Sequence, residues 1–206
     1  MFKRLDALKR CLPVIGDAPC IVSVGMTWIE WDRLRPNDGN FALKTLGSGS
    51  SVGLGLALSL PHRKIVILDG DGACLMNVNG LITVGHKQPK NLIHVVWENK
   101  VWECSGGVPA QTGQNLDLVT VAKGAGIKNA QRVGTIEAFE AALKAAFAGD
   151  GPHFIVAETA PGDEDSSTAY ARLEEVDNKY RFCRYLEKIE GKKLREDAID
   201  IRLSLH

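Results

Sequence analysis

The stretch "KIVILDGDGACLM" (Lys64–Met76) carries an apolar run directly into two Asp-Gly pairs. An unbroken run of this kind has the character of a strand buried on both faces, which delivers whatever follows it to one edge of a sheet. Asp-Gly also suits a hairpin turn. The next residues, "ACLMNVNGLITVGH", space Leu75, Val78, Leu81, Ile82 and Val84 for a helix rather than for a returning strand. The turn therefore joins strand to helix, and its two carboxylates need an explanation.

Similar runs recur on both sides: "CIVSV" (20–24), "KIVIL" (64–68), "LIHVVW" (92–97) and "HFIVA" (153–157), with a weaker candidate at "AQRV" (130–133). Helical patterns alternate with them. The spacing predicts helices over 50–60, ending at Pro61; 77–86, ending before Pro89; 117–126, closing on glycines; and 135–149, with Thr135 as N-cap and a terminal glycine. The expected fold is α/β: one doubly wound, mostly parallel sheet with helices on both faces, in a single domain over 1–160. Ligands of such sheets bind beyond the carboxyl ends of the strands, where "VGMT" (24–27), "GDGA" (70–73) and "ENKVWECSGG" (98–107) all fall. The segment "MFKRLDALKRCL" (1–12) reads as a docking helix with Phe2, Leu5, Leu8 and Leu12 on one face. From Pro161 the texture changes to a polar stretch and then a helix from about 173 to 189, with Val176, Tyr180, Cys183 and Tyr185 on its apolar face. Residues 161–206 read as a carboxyl-terminal helical arm.

Composition excludes several functions. Lys+Arg and Asp+Glu both number 25, so no bulk field draws nucleic acid or an anionic membrane. No apolar stretch approaches a bilayer span. Five cysteines without a C-x-x-C pair argue against zinc, a cysteine-ligated cluster or a disulfide framework, and make the cytoplasm the default compartment. Cys20 and Cys74 read as core residues, while Cys104 sits in a polar loop. His62, His86 and His153 fall at element ends, and His94 reads as a satisfied core histidine; none is assigned a catalytic role.

Two glycine-rich loops could cradle phosphate. "LGSGSSVGLG" (46–55) is a poor dinucleotide fingerprint, with valine in place of the third glycine, and no G-K-[ST] loop occurs. The "GDG" of Gly70, Asp71 and Gly72 differs in holding a carboxylate. Beside a diphosphate that carboxylate requires an intervening divalent cation, and magnesium suits one or two protein oxygens completed by phosphate and water. After Gly72 come 25 residues and then Glu98-Asn99. One helix and one strand fill that interval, so the two turns lie side by side. Asn99 offers an amide oxygen, and Val101 a backbone carbonyl.

GDG, that spacer and an acid-Asn pair resemble the signature of thiamine diphosphate enzymes. With "GLGLALSLPHRKIVILDGDG", "QPKNL", "ENKVWECSGG" and "LVTVAKGAGI", the chain resembles, over roughly 15–160, the diphosphate-binding domain of the sulfopyruvate and phosphonopyruvate decarboxylases. The resemblance implies a subunit of a 2-oxo acid decarboxylase with thiamine diphosphate and Mg2+ as cofactors. It implies Asp71, Asn99 and the Val101 carbonyl as metal ligands, and Leu46 as the bulky residue beneath the bent cofactor, followed by Gly47. Lys44 would face the aminopyrimidine through its backbone. Gly25, Met26, Gly70, Gly72 and Ala73 would approach the diphosphate, and Trp102 and Glu103 would border the cofactor. Ala73 replaces a common serine, Glu98 replaces the usual first Asn or Asp and is read as a brace, and Glu103 reads equally as active-site acid or solvated loop carboxylate. The family's activating glutamate belongs to a pyrimidine-binding domain. Too little chain remains here for such a domain, so the expected partner is a pyrimidine-domain subunit in a hetero-oligomer. A carboligase subunit and a non-catalytic cofactor-holding subunit are the alternatives. The substrate is open: a sulfonate or phosphonate calls for cations, of which the metal loop has Lys100, whereas Trp97 and Trp102 suit an aromatic 2-oxo acid.

Overall fold

The computed structural model describes residues 1–162 and 175–193. Strands β1 (Cys20–Ser23), β2 (Asn40–Leu43), β3 (Ile65–Gly70), β4 (Leu92–Glu98), β5 (Val101–Trp102), β6 (Val108–Pro109), β7 (Asn129–Val133) and β8 (His153–Glu158) build two sheets. Six of them form one sheet in the order β2-β1-β3-β4-β8-β7, with every pairing parallel; β5 and β6 form a small antiparallel hairpin. Between them run α1 (Arg4–Ile15), α2 (Met26–Leu34), α3 (Gly49–Ser59), α4 (Asp71–Leu75), α5 (Asn79–Lys87), α6 (Leu118–Gly124) and α7 (Ile136–Ala148), with α8 (Glu175–Glu190) at the end. Among the described residues no helix is long and apolar enough to cross a membrane.

The central strands are apolar at successive positions because both of their faces are covered. Val66, Leu68, Ile93, Val95 and Ile155 pack under Leu8 of α1, Trp28 and Trp31 of α2 and Phe139 of α7. Ile65, Ile67, Leu92, Val96 and Phe154 pack under Leu54 of α3, Leu81 of α5, Leu118 of α6 and Phe182 of α8. Helix α3 lies close on β3: a methyl added to Gly53 would stand 2.4 Å from Ile67 Cδ1. The glycines that imitate a nucleotide fingerprint thus include one required for helix–sheet packing. Caps follow the local sequence. The Asp117 carboxylate accepts the backbone N–H groups of Val119 and Thr120 to start α6, and Thr135 accepts that of Ala138 to start α7.

The anticipated strands and helices are present, with four corrections. Strand β2 went unread because "NFAL" is short and has no β-branched residue. Helix α2 went unread because it starts on Gly25 without a side-chain cap. The helix read over 77–86 is α5, starting at Asn79, and a separate short helix, α4, precedes it from Asp71 to Leu75. The buried face of α1 is Arg4, Ala7, Leu8, Cys11 and Ile15 rather than the Phe2, Leu5, Leu8, Leu12 stripe. It is turned because Arg4 is drawn inward by Glu30.

The final helix is seated on the molecule. Its buried residues are Asn178, Phe182 and Leu186, in place of the expected Tyr180, Cys183 and Tyr185, which are only partly covered; the side chain of Val176 lies outside the described residues. So do 163–174 and 194–206, which hold the polar part of the arm and the first residues of its anticipated helix. The turn of α8 is set by Asn178. Strand β2 is an edge with unpaired backbone groups, and Asn178 accepts from the Ala42 N–H at 3.2 Å and donates to the Ala42 carbonyl at 2.8 Å. Covering an edge in this way removes a template for aggregation. Asn178→Ala would strand two buried backbone groups, and should lower stability by about 2 kcal/mol in urea unfolding, from the cost of burying unmade hydrogen bonds. An unchanged midpoint would mean that the edge is satisfied otherwise.

Candidate active site

The strand order reverses at β1. The chain leaves β1 on one side to make β2 and returns on the other to make β3, so the loops after β1 and β3 diverge and open a crevice at the carboxyl edge. A cleft lies there. Of the residues expected at the site, it is lined by Gly25, Met26, Leu46, Gly70, Asp71, Gly72, Ala73, Asn99, Val101, Trp102 and Glu103. Lys44 and Gly47 are not on its wall. Lys44 is exposed at the end of β2, and Gly47, at φ +85°, is packed against Asn77.

Asp71 is 2% exposed at the start of α4. Its Oδ1 accepts from the Gly72 N–H at 2.8 Å, and its Oδ2 from the Lys100 N–H at 2.9 Å and the Thr112 hydroxyl at 2.7 Å. Burial pushes its pKa up, and these three hydrogen bonds oppose the rise. A carboxylate has about four acceptor positions, so Oδ1 keeps one free. Asn99 Oδ1 accepts the Val101 N–H at 3.0 Å and likewise keeps a lone pair. The Lys100 carbonyl accepts the Ala110 N–H, so Val101 and Pro109 are a non-hydrogen-bonded pair of the hairpin and the Val101 carbonyl points away from the partner strand. Three oxygens, one of them charged and desolvated, are thus left with acceptor capacity within one short stretch of wall, a donor set that suits a hard divalent cation.

The rest of the wall suits a diphosphate. Gly25 takes φ +106° where β1 hands over to α2, whose first N–H groups have no partners within the helix. A methyl on Gly72 would stand 2.8 Å from the Trp102 ring, so only glycine admits that indole. Trp97 is fully buried and contributes to the wall, and its Nε1 has no hydrogen-bond partner among the described residues. Leu46 stays 37% exposed, high for a large apolar residue.

The other carboxylate of the opening stretch has a structural task. Asp69 is 1% exposed; its Oδ1 accepts from the Ser23 hydroxyl at the end of β1 and from the Gly70 N–H, and its Oδ2 lies 3.3 Å from His94 Nε2 on β4. Cys74 completes a buried group whose potential ligand atoms lie within 4.8 Å of one another. Burial, with Asp69 and Asp71 nearby, raises the Cys74 thiol well above its usual pKa and keeps it protonated. His94 is a partnered core histidine, as read. Glu98, fully buried, is bound by Arg132 of β7, which also reaches Asp117 at 2.8 Å and Glu158 at 3.5 Å. Its side chain is spent in bracing the strand ends.

Several residues at the site carried no sequence signal. Thr112, which orients Asp71, comes from a short turn beyond the hairpin. Arg4 reaches the cleft from α1, where it is held by Glu30 at 2.7 and 3.1 Å and by Glu103 at 3.3 Å. Cys104, Ser105 and Thr27 also line the wall.

A sheet with this switch-point cleft is that of a cofactor-binding α/β domain. Residues 24–157 match the thiamine pyrophosphate enzyme family in its C-terminal TPP-binding domain, and the chain belongs to that family. It is 34% identical over 188 residues to the beta subunit of sulfopyruvate decarboxylase from Methanocaldococcus jannaschii, covering 90% of this chain and 98% of that one. The corresponding subunit of Methanothermobacter thermautotrophicus is 35% identical, with 93% and 97% covered. Phosphonopyruvate decarboxylase of Streptomyces hygroscopicus is 36% identical over 77% of this chain and 40% of its own length. Among solved structures, benzoylformate decarboxylase from Polynucleobacter necessarius shares the fold with a TM-score of 0.64 at 20% identity, over 78% of this chain and 33% of that chain. The chain therefore spans about a third of the solved enzyme it resembles.

Lys100, between Asn99 and Val101, adopts φ +67°, a conformation strained for any side chain and most for a β-branched one. Lys100→Val should destabilise the chain by about 1–2 kcal/mol, while Lys100→Gly should change stability by less than about 0.5 kcal/mol. Thermal unfolding of the pair checks this, and equal losses in both would place the cost in the lost lysine contacts instead.

Proposed function

We propose that this chain is one subunit of a 2-oxo acid decarboxylase dependent on thiamine diphosphate and Mg2+, of the sulfopyruvate and phosphonopyruvate type, and that it supplies the diphosphate and metal half of a shared active site. The carrying observation is the trio of oxygens on Asp71, Asn99 and Val101, with spare acceptor capacity, at the switch point of a domain of the thiamine pyrophosphate family. In this reading Asp71, Asn99 and the Val101 carbonyl hold Mg2+. The N–H groups after Gly25 and Gly72 and the backbone at Ala73 receive the diphosphate, and Thr112 keeps Asp71 aimed. Leu46 supports the bent cofactor from below, consistent with its exposed apolar side chain, while Trp102 and Glu103 border it. When bound, thiamine diphosphate supplies the electron sink into which the scissile carboxylate's electrons flow.

A partner carrying the pyrimidine domain and its activating glutamate completes the reading. The relatives that this chain matches end to end are named as beta subunits, whereas it covers only 36% of the sulfopyruvate decarboxylase of Methanosarcina acetivorans, so the remainder of that protein corresponds to sequence outside this chain. An apolar rim supports docking there, since Leu46, Met76 and Val108 are exposed. We take 1–160 as the cofactor domain, 161–206 as its appended arm, and the cytoplasm as the compartment. The names of the relatives favour a 2-oxo acid bearing a distal anionic group. A carboligase would use the same residues and is distinguished by its product.

Asp71→Ala should abolish magnesium-dependent binding of thiamine diphosphate in calorimetry, and retained binding would place the metal elsewhere. In the assembled enzyme Leu46→Ala should lower turnover at least tenfold more than cofactor affinity; a smaller gap, or none, would make Leu46 ordinary packing. The purified chain alone should release no carbon dioxide from sulfopyruvate, phosphonopyruvate or phenylpyruvate, and should do so once a pyrimidine-domain subunit is added. Robust turnover by the chain alone would refute the divided site.

A further inference from the structure

Arg4 is the feature of the cleft wall that the proposed chemistry does not use. It is 5% exposed, sits on the first turn of α1, and has two carboxylates on one guanidinium. Glu30 of α2, 4% exposed, takes the fork with Nε at 2.7 Å and Nη2 at 3.1 Å. Glu103, just past the hairpin strand that bears Val101, takes Nη1 at 3.3 Å through Oε2, while its Oε1 accepts the Gly162 N–H. Both Glu103 oxygens are therefore engaged by donors outside the GDG turn, although Glu103 lines the same cleft as Asp71.

Charge makes this arrangement consequential. Glu103 lies two residues from Val101 and lines the cleft that Asp71 lines. A carboxylate on the wall of a site meant for a diphosphate repels that ligand, and in a partly buried cleft the repulsion is poorly screened. We propose that Arg4 is a positioning residue of the cofactor site: clamped by Glu30, it pins and neutralises Glu103, so that the loop bearing Asn99 and Val101 presents its oxygens to the cation without a competing negative charge. The inference rests on the reading of the cleft as a magnesium–diphosphate site and adds to it a control of affinity from the amino-terminal helix. A fork is needed, because one ammonium cannot hold both carboxylates in the geometry that a planar guanidinium provides.

The test uses the full chain and inorganic pyrophosphate with Mg2+, read by calorimetry, with thermal melting beside it. Arg4→Met should weaken pyrophosphate roughly tenfold, as expected for a like charge released beside the ligand, and the double variant Arg4→Met/Glu103→Gln should return to within about threefold of the parent, since the offending charge is gone. Because Arg4→Met leaves Glu30 buried and unpaired, Arg4→Lys and Arg4→Lys/Glu103→Gln form a second pair that keeps a cation at Glu30, and the same loss and rescue are expected. Loss without rescue in either folded pair would make Arg4 a direct ligand of the anion and overturn the proposal. An Arg4 variant that binds as well as the parent would overturn it too. If the parent chain shows no magnesium-dependent pyrophosphate binding sensitive to Asp71→Ala, the reading of the cleft itself fails, and this inference with it.

Discussion

Two carboxylates two residues apart, both buried at the carboxyl edge of an apolar sheet, set the conditions that the surrounding structure meets. A desolvated carboxylate is tolerated only when its oxygens are occupied by donors or cations. Asp69 gathers its partners from the end of β1 and from His94 within β4, and so ties three neighbouring strands together. Asp71 gathers its partners from the loop beyond β4 and from Thr112, which draws that loop over the turn. The walls of the cleft are thus fixed by the satisfaction of these two groups. In Asp71 the occupation is incomplete, and the free acceptor on Oδ1 is where chemistry can enter.

The loop that follows β4 is held from two other directions. Arg132 anchors Glu98 on one side and Arg4 anchors Glu103 on the other, so the four residues from Asn99 to Trp102 hang between two buried or half-buried ion pairs. Breaking such a pair by removing one partner costs far more than the pair's net worth, because a charge is left without compensation. These pairs serve geometry better than they serve stability. The left-handed backbone at Lys100 is held within that span.

Packing limits the same region from beneath. Helix α3 approaches β3 closely enough to need Gly53, and Trp102 lies on Gly72, so neither element can shift without repacking its neighbour. At the far edge α8 satisfies β2 through Asn178, which joins the carboxyl-terminal helix to the domain that holds the cleft.

The sequence by itself determined the α/β alternation, the parallel sheet and most of the cleft wall. Each depends on short-range information: apolar continuity marks strands buried on both faces, and a strand of known length places the turn after it at a known edge, so Asp71 and Asn99 could be set side by side across 25 intervening residues. The family resemblance then attached a cofactor to that edge, and with it the expectations for Leu46 and Trp102. Only the tertiary structure decided which residues finish the site. Thr112, 41 positions from Asp71, and Glu103, 99 positions from Arg4, meet through the folding of whole elements and leave no local period or motif. Strand β2 and helix α2 escaped for a related reason: each is short, and each is stabilised less by its own pattern than by what the sheet, Asn178 and the two tryptophans of α2 bury against it.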